Sequence, residues 1–254
     1  MSTENQVKED YQKHAETYSG YNILPAGRLE SAIIKSALGD CTGLKVLDLG
    51  GGSGIHAREA IDAGAQRVDI VDISLEMMQI ATDTEKSLGR DGRLRTFEGD
   101  VSKPIDHLPL ETYDVVMANW VFDHAGSIET LEGMWQNISK YLKPGAKFIG
   151  IRGADPRNPC FLDGKYGFHT KNIRDIPGGL AYTVEMRNDP PWEFEGTSLE
   201  ISFSGSFELH EKYGLEHVSV VPCEDNEIVK SDPEFWQLFL ENPPYAVVQG
   251  FKRL

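Results

Sequence analysis

The segment "LKVLDLGGGSG", Leu44 to Gly54, constrains the fold of this chain more than any other. A short apolar run ends at glycines, and Ile55 to Ala63 then follows helical spacing, which reads as strand, loop and helix. Glycines in such a loop let backbone N–H groups come close to a ligand, and the helix start favours negative charge there. Two glycine frames overlap. From Gly52 the pattern is G-x-G-x-x-A, which suits a dinucleotide such as NAD; from Asp48 it is D-x-G-x-G-x-G, which begins at the strand end and sets a carboxylate at the mouth of the pocket. That carboxylate suits a cationic ligand better than a pyrophosphate, and S-adenosylmethionine carries both a sulfonium and an ammonium group.

The strand and helix alternation repeats. "QRVDIVDI" ends a second strand at Asp72, Ser74 is a candidate N-cap for the helix through Met77 and Met78, and "RLRTFEGD" ends at Asp100. "YDVVMANW" reads as a buried strand, a helix follows from about Ser127 to Tyr141, and "AKFIGIR" follows the turn at Lys143-Pro144-Gly145. This order predicts an α/β fold with a doubly wound, mostly parallel sheet. After Arg152 regularity breaks: residues 154 to 180 are rich in Gly, Pro, Asn and Asp, and "LAYTVEMR" and "TSLEISFS" read as β-segments joined by a "NDPPWEFEG" loop. We expect one domain over 1–254, with an N-terminal helical cover at 1–30 and an inserted lid at 154–205. "SFELHEKYG" and "SDPEFWQLFLE" read as helices, "LEHVSVVP" and "YAVVQGFK" as the last strands.

Charge narrows the partner. The chain has 25 Lys and Arg against 40 Asp and Glu, a net charge of −15, which repels phosphate backbones and leaves a small molecule as the expected acceptor, with no nucleic acid. No apolar run reaches the roughly 20 residues of a membrane span, and the polar start has no secretory signal pattern, so a cytoplasmic protein is expected. Cys41, Cys160 and Cys223 are widely spaced and predict neither a disulfide framework nor a metal site. The final Lys252-Arg253-Leu254 only loosely resembles a peroxisomal address.

Three carboxylates end successive strands. Asp48 is fused to the glycine loop, Asp72 lies where a side chain can accept bonds from both ribose hydroxyls, and Asp100 lies where one can meet an adenine amino group. Each alone reads equally well as a solvated strand end or helix cap; the set is more specific. With "VLDLGGGSG", "VDIVDISLEMMQIA", "FEGDV", "YDVVMANWVFDH" and "YLKPGAKFIGI", the chain resembles the class I S-adenosylmethionine-dependent methyltransferases over most of its length. The resemblance implies a Rossmann-like seven-stranded sheet with an antiparallel last strand. It implies that Gly50 and Gly52 approach the methionine part and that Asp72 binds ribose. It also implies that Ile73 and Met77 pack on adenine, that Asp100 and Val101 meet its edge, and that Asn119 and Trp120 face the cofactor through their backbone. S-adenosylhomocysteine would be the product, and no metal is implied. "YQKHAETYSGY" resembles the Y-x-x-x-A-x-x-Y segment of small-molecule members, including toxoflavin-pathway and quinone methyltransferases. Tyr11 would close over the donor and Tyr18 would reach the acceptor, although Ser19 stands where Asp is common.

Methyl transfer is an in-line displacement, so positioning supplies much of the rate, and a neutral or protonated acceptor must lose a proton. "NWVFDHA" offers His124 as base, oriented by Asp123; a helix cap is the plainer reading of His124. Phe122, Phe161, Tyr166, Phe168, Trp120 and Tyr182 offer an aromatic acceptor pocket, or simply core packing, and Arg152 offers a site for an acidic acceptor, or a surface ion pair. "ENPPY", Glu241 to Tyr245, has the letters of an amino-methylating motif but sits before the last strand and reads as a turn. Two other functions keep the fold: a nicotinamide-dependent oxidoreductase, and a non-catalytic S-adenosylmethionine-binding regulator. The oligomeric state is not legible.

Overall fold

The computed structural model describes residues 20–90 and 92–254. Tyr11, His14 and Tyr18 lie outside them. The described chain begins with a 3-10 turn, Tyr21–Ile23, and helix α1, Pro25–Leu38, whose proline supplies the preset φ favoured in a first helical turn. This helix crosses the expected boundary at residue 30, and Leu29, Ile33, Ile34, Ala37 and Leu38 recur on one buried stripe. Then come β1 (Lys45–Leu49), α2 (Ile55–Asp62), β2 (Arg67–Asp72), α3 (Leu75–Ser87), β3 (Leu94–Glu98), β4 (Tyr113–Ala118), α4 (Ile128–Tyr141) and β5 (Leu142–Gly153).

Local chemistry fixes these boundaries. Ser74 Oγ accepts from Met77 N to cap α3, and Ser127 Oγ accepts from Thr130 N to cap α4. Each helix has an acid in its first turn and a lysine in its last, matching the helix dipole. Alternate strand residues face opposite layers. Val46, Ile70, Val115 and Ile149 pack toward α1 and α2, whereas Leu47, Val71, Val116 and Phe148 pack toward α4. On α4, burial of Leu131, Met134, Trp135 and Ile138 contributes roughly 1.5–3 kcal/mol per side chain.

Beyond β5 lie α5 (Pro159–Asp163), β6 (Phe168–Ile176), β7 (Gly179–Met186), β8 (Trp192–Leu199), α6 (Glu200–Phe203), α7 (Glu208–Lys212), β9 (Leu215–Val220), α8 (Glu227–Ser231), α9 (Pro233–Glu241) and β10 (Tyr245–Lys252). The main sheet has the order β3-β2-β1-β4-β5-β10-β9. Strands β1 to β5 pair in parallel, and β10 runs antiparallel between β5 and β9. Strand order reverses between β1 and β4, and a sheet of this kind binds ligands at such a crevice. Among the described residues, no helix is long and apolar enough to cross a membrane.

The segment after β5 differs in detail from expectation. Strands β6, β7 and β8 form a separate antiparallel sheet. "FHTKNIRDI", expected to be irregular, is β6, and "WEF", expected in a loop, opens β8. Ile201 to Phe203, expected as strand, belong to the short helix α6. The prolines Pro190 and Pro191 stop short of Trp192, so the W-E-F-E alternation is free to pair. Its glutamates meet the cations of β6 on the outer face, Arg174 pairing with Glu195 at 3.2 Å. This small sheet is tied to the loop after β4: Thr197 N donates to the Asp123 carbonyl at 2.9 Å, and His124 and Thr197 form an isolated bridge.

Candidate active site

The glycine loop leaves β1 with Gly50, Gly52 and Gly54 at φ of 71°, 50° and 76°, a left-handed region that favours glycine. Gly51 is constrained differently, because a Cβ there would stand 2.7 Å from Asp48 Oδ2. Asp72 steadies the loop from the next strand. Its Oδ2 accepts from Gly52 N at 2.8 Å and its Oδ1 from Ser74 N at 2.8 Å, while burial pushes its pKa up against those bonds. Asp100 accepts from Ser102 N and Oγ and pairs with Lys103 at 2.9 Å; burial raises it, but these partners hold it below the ordinary value.

Asp48 is not the exposed rim group that the strand-end position suggests. It is 1% exposed, and neither carboxylate oxygen has a hydrogen-bond partner. Burial pushes its pKa up to about 7; His56 opposes the shift, and Asp72 and Glu59 add to it. Asn119 is likewise buried with both amide atoms unpartnered. Buried polar groups without partners require an explanation, and polar contacts to a ligand supply one. Asp48, Gly50, Gly52, Asp72, Ile73, Met77, Asp100, Val101, Asn119 and Trp120 all line one cleft, with about 1090 Å³ of empty space counted to its open mouth. Gly52 leaves room where a Cβ would stand 3.0 Å from Met77 Cε. The shape and orphaned groups fit a nucleoside carrying a cationic amino-acid arm.

A second chamber, with about 620 Å³ of empty space counted to its opening, lies between the main sheet and the β6–β8 sheet. Phe161, Phe168, Tyr182 and Phe194 form much of its wall, and Asp123 is its carboxylate. Tyr21, Trp120 and His124 line both spaces, so the cleft and chamber meet there. Asp123 does not orient His124 in this structure. Its Oδ1 accepts from Ser198 Oγ at 2.6 Å; since that uses Ser198's only proton, the 2.7 Å contact between Tyr182 and Ser198 has the tyrosine as donor. Burial pushes Asp123 up to about 6 against Ser198, Tyr182 and the Gly153 N–H.

Three acceptor-site expectations fall elsewhere. Phe122 stacks on Trp135 with centroids 4.9 Å apart, in the core beneath α4. Tyr166 donates to the Phe235 carbonyl and accepts from Phe239 N, both at 2.9 Å, so it anchors α9. Arg152 lies over the Phe207 ring and donates to the Ser206 carbonyl at 3.1 Å. Each points away because strand alternation and loop direction, not residue type, decide which face a side chain takes.

The sequence reading overlooked a buried cluster that walls the cleft. Glu30 of α1 is 1% exposed and accepts from Tyr21 Oη at 2.5 Å and Trp120 Nε1 at 2.8 Å. His56 of α2 bridges Glu30, at 3.1 Å, and Glu59, at 2.8 Å. Burial alone would lower His56, but hydrogen bonds and charge from both glutamates carry it up to about 10, so it is an imidazolium. Trp120, at φ 60°, occupies a backbone region rare for non-glycine residues, and the bond to Glu30 holds its indole there. The available signal was Glu30 beside Leu29 and four before Ile34, inside the apolar stripe of α1.

Residues 46–145 match the family model described as a methyltransferase domain. Over 167 residues the chain is 30% identical to "Probable protein arginine N-methyltransferase 3" of Oryza sativa subsp. japonica, covering 55% of this chain and 26% of that protein. The chain therefore spans about a quarter of the length of the first curated relatives it matches. Among solved structures, the CcbJ methyltransferase from Streptomyces caelestis superimposes with a TM-score of 0.65 at 16% identity, covering 99% of each chain. Phosphoethanolamine N-methyltransferase 2 of Haemonchus contortus, in complex with phosphomonomethylethanolamine and S-adenosylhomocysteine, gives a TM-score of 0.60 at 17% identity, covering 100% of this chain and 61% of that one. At such identities the likeness is one of fold.

Proposed function

We propose that this chain, whose residues 46–145 match a methyltransferase-domain model, transfers a methyl group from S-adenosylmethionine to a nitrogen or oxygen of a small molecule held beneath the β6–β8 sheet. The supporting observation is the junction: Tyr21, Trp120 and His124 belong at once to the cleft with the glycine loop and to an aromatic chamber of about 620 Å³. A concave space between two sheets, lined mostly by apolar and aromatic side chains, supports a small acceptor over the surface of a folded protein.

S-adenosylmethionine supplies an activated methyl on a sulfonium when bound. The rest is done by this chain. Asp72, Asp100 and Val101 are placed to fix the nucleoside, and Gly50 and Gly52 let backbone approach its amino-acid arm. Asp48 offsets positive charge in a dry site. Trp120, pinned by Glu30, shapes the passage along which acceptor and donor align. His124, which lines both spaces, would take a proton from the acceptor.

Two measurements test this. Incubation with methyl-labelled S-adenosylmethionine and a pooled metabolite extract should label products that pass an ultrafiltration membrane; label confined to macromolecules overturns the small-molecule reading. The His124→Gln variant should keep its affinity for S-adenosylhomocysteine and lose turnover by roughly 10²-fold or more. An unchanged rate removes His124 from the mechanism.

A further inference from the structure

Buried carboxylates in this protein mostly have a cation. Asp69 holds Arg95 at 2.6 Å, Glu85 holds Arg90 at 2.7 Å, and Glu30 and Glu59 share His56. Among the described residues, buried Asp48 and half-buried Asp72 and Asp123 have no such ion pair, and these three line the two cavities. Asp48 faces the positive charge of the proposed donor, and Asp72 accepts from the backbone N–H groups of Gly52 and Ser74. Asp123 stands in the other chamber. Its Oδ1 has the Ser198 hydroxyl, its Oδ2 is buried without a hydrogen-bond partner, and no described Lys, Arg or His forms an ion pair with it.

An ionised carboxylate enclosed by apolar side chains costs several kcal/mol unless something compensates it. The relay from Tyr182 through Ser198 orients Asp123 but adds only dipoles. The same chamber is lined by Trp120, Phe161, Phe168, Tyr182 and Phe194. A carboxylate among aromatic rings is a receptor for an organic cation: the rings attract it through their quadrupoles and the oxygens accept its N–H bonds. A neutral alcohol or an anionic phenolate gains nothing comparable there.

Building on the methyltransferase reading, we propose that the acceptor is a basic amine on a hydrophobic body, with Asp123 as the residue that selects its ammonium group. The ammonium gives one proton to the His124 imidazole, and its freed lone pair forms the new N–C bond. The S–C bond breaks with its electron pair returning to sulfur. The product leaves as the more substituted ammonium, so Asp123 faces a cation before and after transfer.

The test uses the full chain loaded with S-adenosylhomocysteine and a matched pair of probes, N-methyl-2-phenylethylamine and 2-phenylethyl methyl ether, which differ only in the ammonium. Calorimetry near neutral pH should show the amine bound roughly tenfold or more tighter than the ether. Asp123→Asn should erase that preference while S-adenosylhomocysteine affinity persists, and Ser198→Ala, which keeps the carboxylate, should retain it. Equal binding of both probes, absence of amine binding, or an undiminished preference in Asp123→Asn overturns the proposal. If Asp123→Asn fails to fold, the wild-type and Ser198→Ala ratios decide. Failure to bind S-adenosylhomocysteine at all would instead overturn the donor reading.

Discussion

Replacing His56 by glutamine tests the buried cluster under the cleft. The imidazolium lies between two carboxylates whose side chains are 1% and 7% exposed, and its own side chain is 12% exposed, so solvent screens little. Its pKa stands at about 10, against an ordinary value near 6.5. At about 1.36 kcal/mol per unit, that displacement corresponds to roughly 5 kcal/mol of stabilisation, the upper end of the ~3–5 kcal/mol seen when one partner of a buried pair is removed. Glutamine can still donate to one glutamate, returning about 1 kcal/mol, so a loss of about 3 kcal/mol or somewhat more is expected at neutral pH. In a chain of this length the melting temperature should fall by roughly 6–12 °C. The sign with pH follows from linkage. A histidine whose folded pKa is raised contributes fully below its unfolded value and loses that contribution as pH rises through the folded one. Urea denaturation of both proteins from about pH 6 to about pH 10.5 should show a wide gap that closes near the upper end. Adding Glu59→Gln should recover part of the loss. A gap under about 1 kcal/mol, or one that does not change with pH, would refute the ion-pair account.

Two further outcomes are expected. Burial raises Asp48 to about 7, so its proton is held more tightly in the folded than in the unfolded state, and its contribution to stability fades as pH climbs toward 7; a cationic donor prefers the ionised form. Affinity for S-adenosylmethionine should therefore rise from about pH 6 to about pH 8, with proton release visible as a dependence on buffer ionisation heat, and Asp48→Asn should abolish that dependence. A Cβ at Gly133 of α4 would clash with the Ser102 carbonyl, next to Asp100 and Val101, where Asn137 Nδ2 also donates to the Val101 carbonyl at 2.9 Å. Gly133→Ala should cost about 1–3 kcal/mol and weaken donor binding, checked by melting and calorimetry.

The first five strands and the glycine loop were legible because their signals are local: an apolar run ending at glycine or aspartate needs no knowledge of distant residues. The antiparallel direction of β10 came through resemblance, not periodicity. Strand β6 was hidden because its outer residues Lys171 and Arg174 are charged and pair with glutamates on β7 and β8, so it lacks the apolar density of a core strand. Residue type placed Phe122, Tyr166 and Arg152 among acceptor contacts, yet side-chain direction sent them elsewhere. Asp123 was read as the partner of its neighbour in sequence and bonds instead to Ser198, 75 positions away. The Glu30, His56 and Trp120 cluster spans 90 positions and exists only once α1 is laid against α2 and the loop after β4.

The wall formed by Tyr21, Trp120 and His124 has a thermodynamic corollary. Any repacking of those three rings by an occupant on one side is felt on the other, and linkage makes the influence mutual. By whatever factor a bound nucleoside tightens the hold on a guest under the lid, that guest must tighten the hold on the nucleoside equally. A partition of three shared rings ties the two equilibria together.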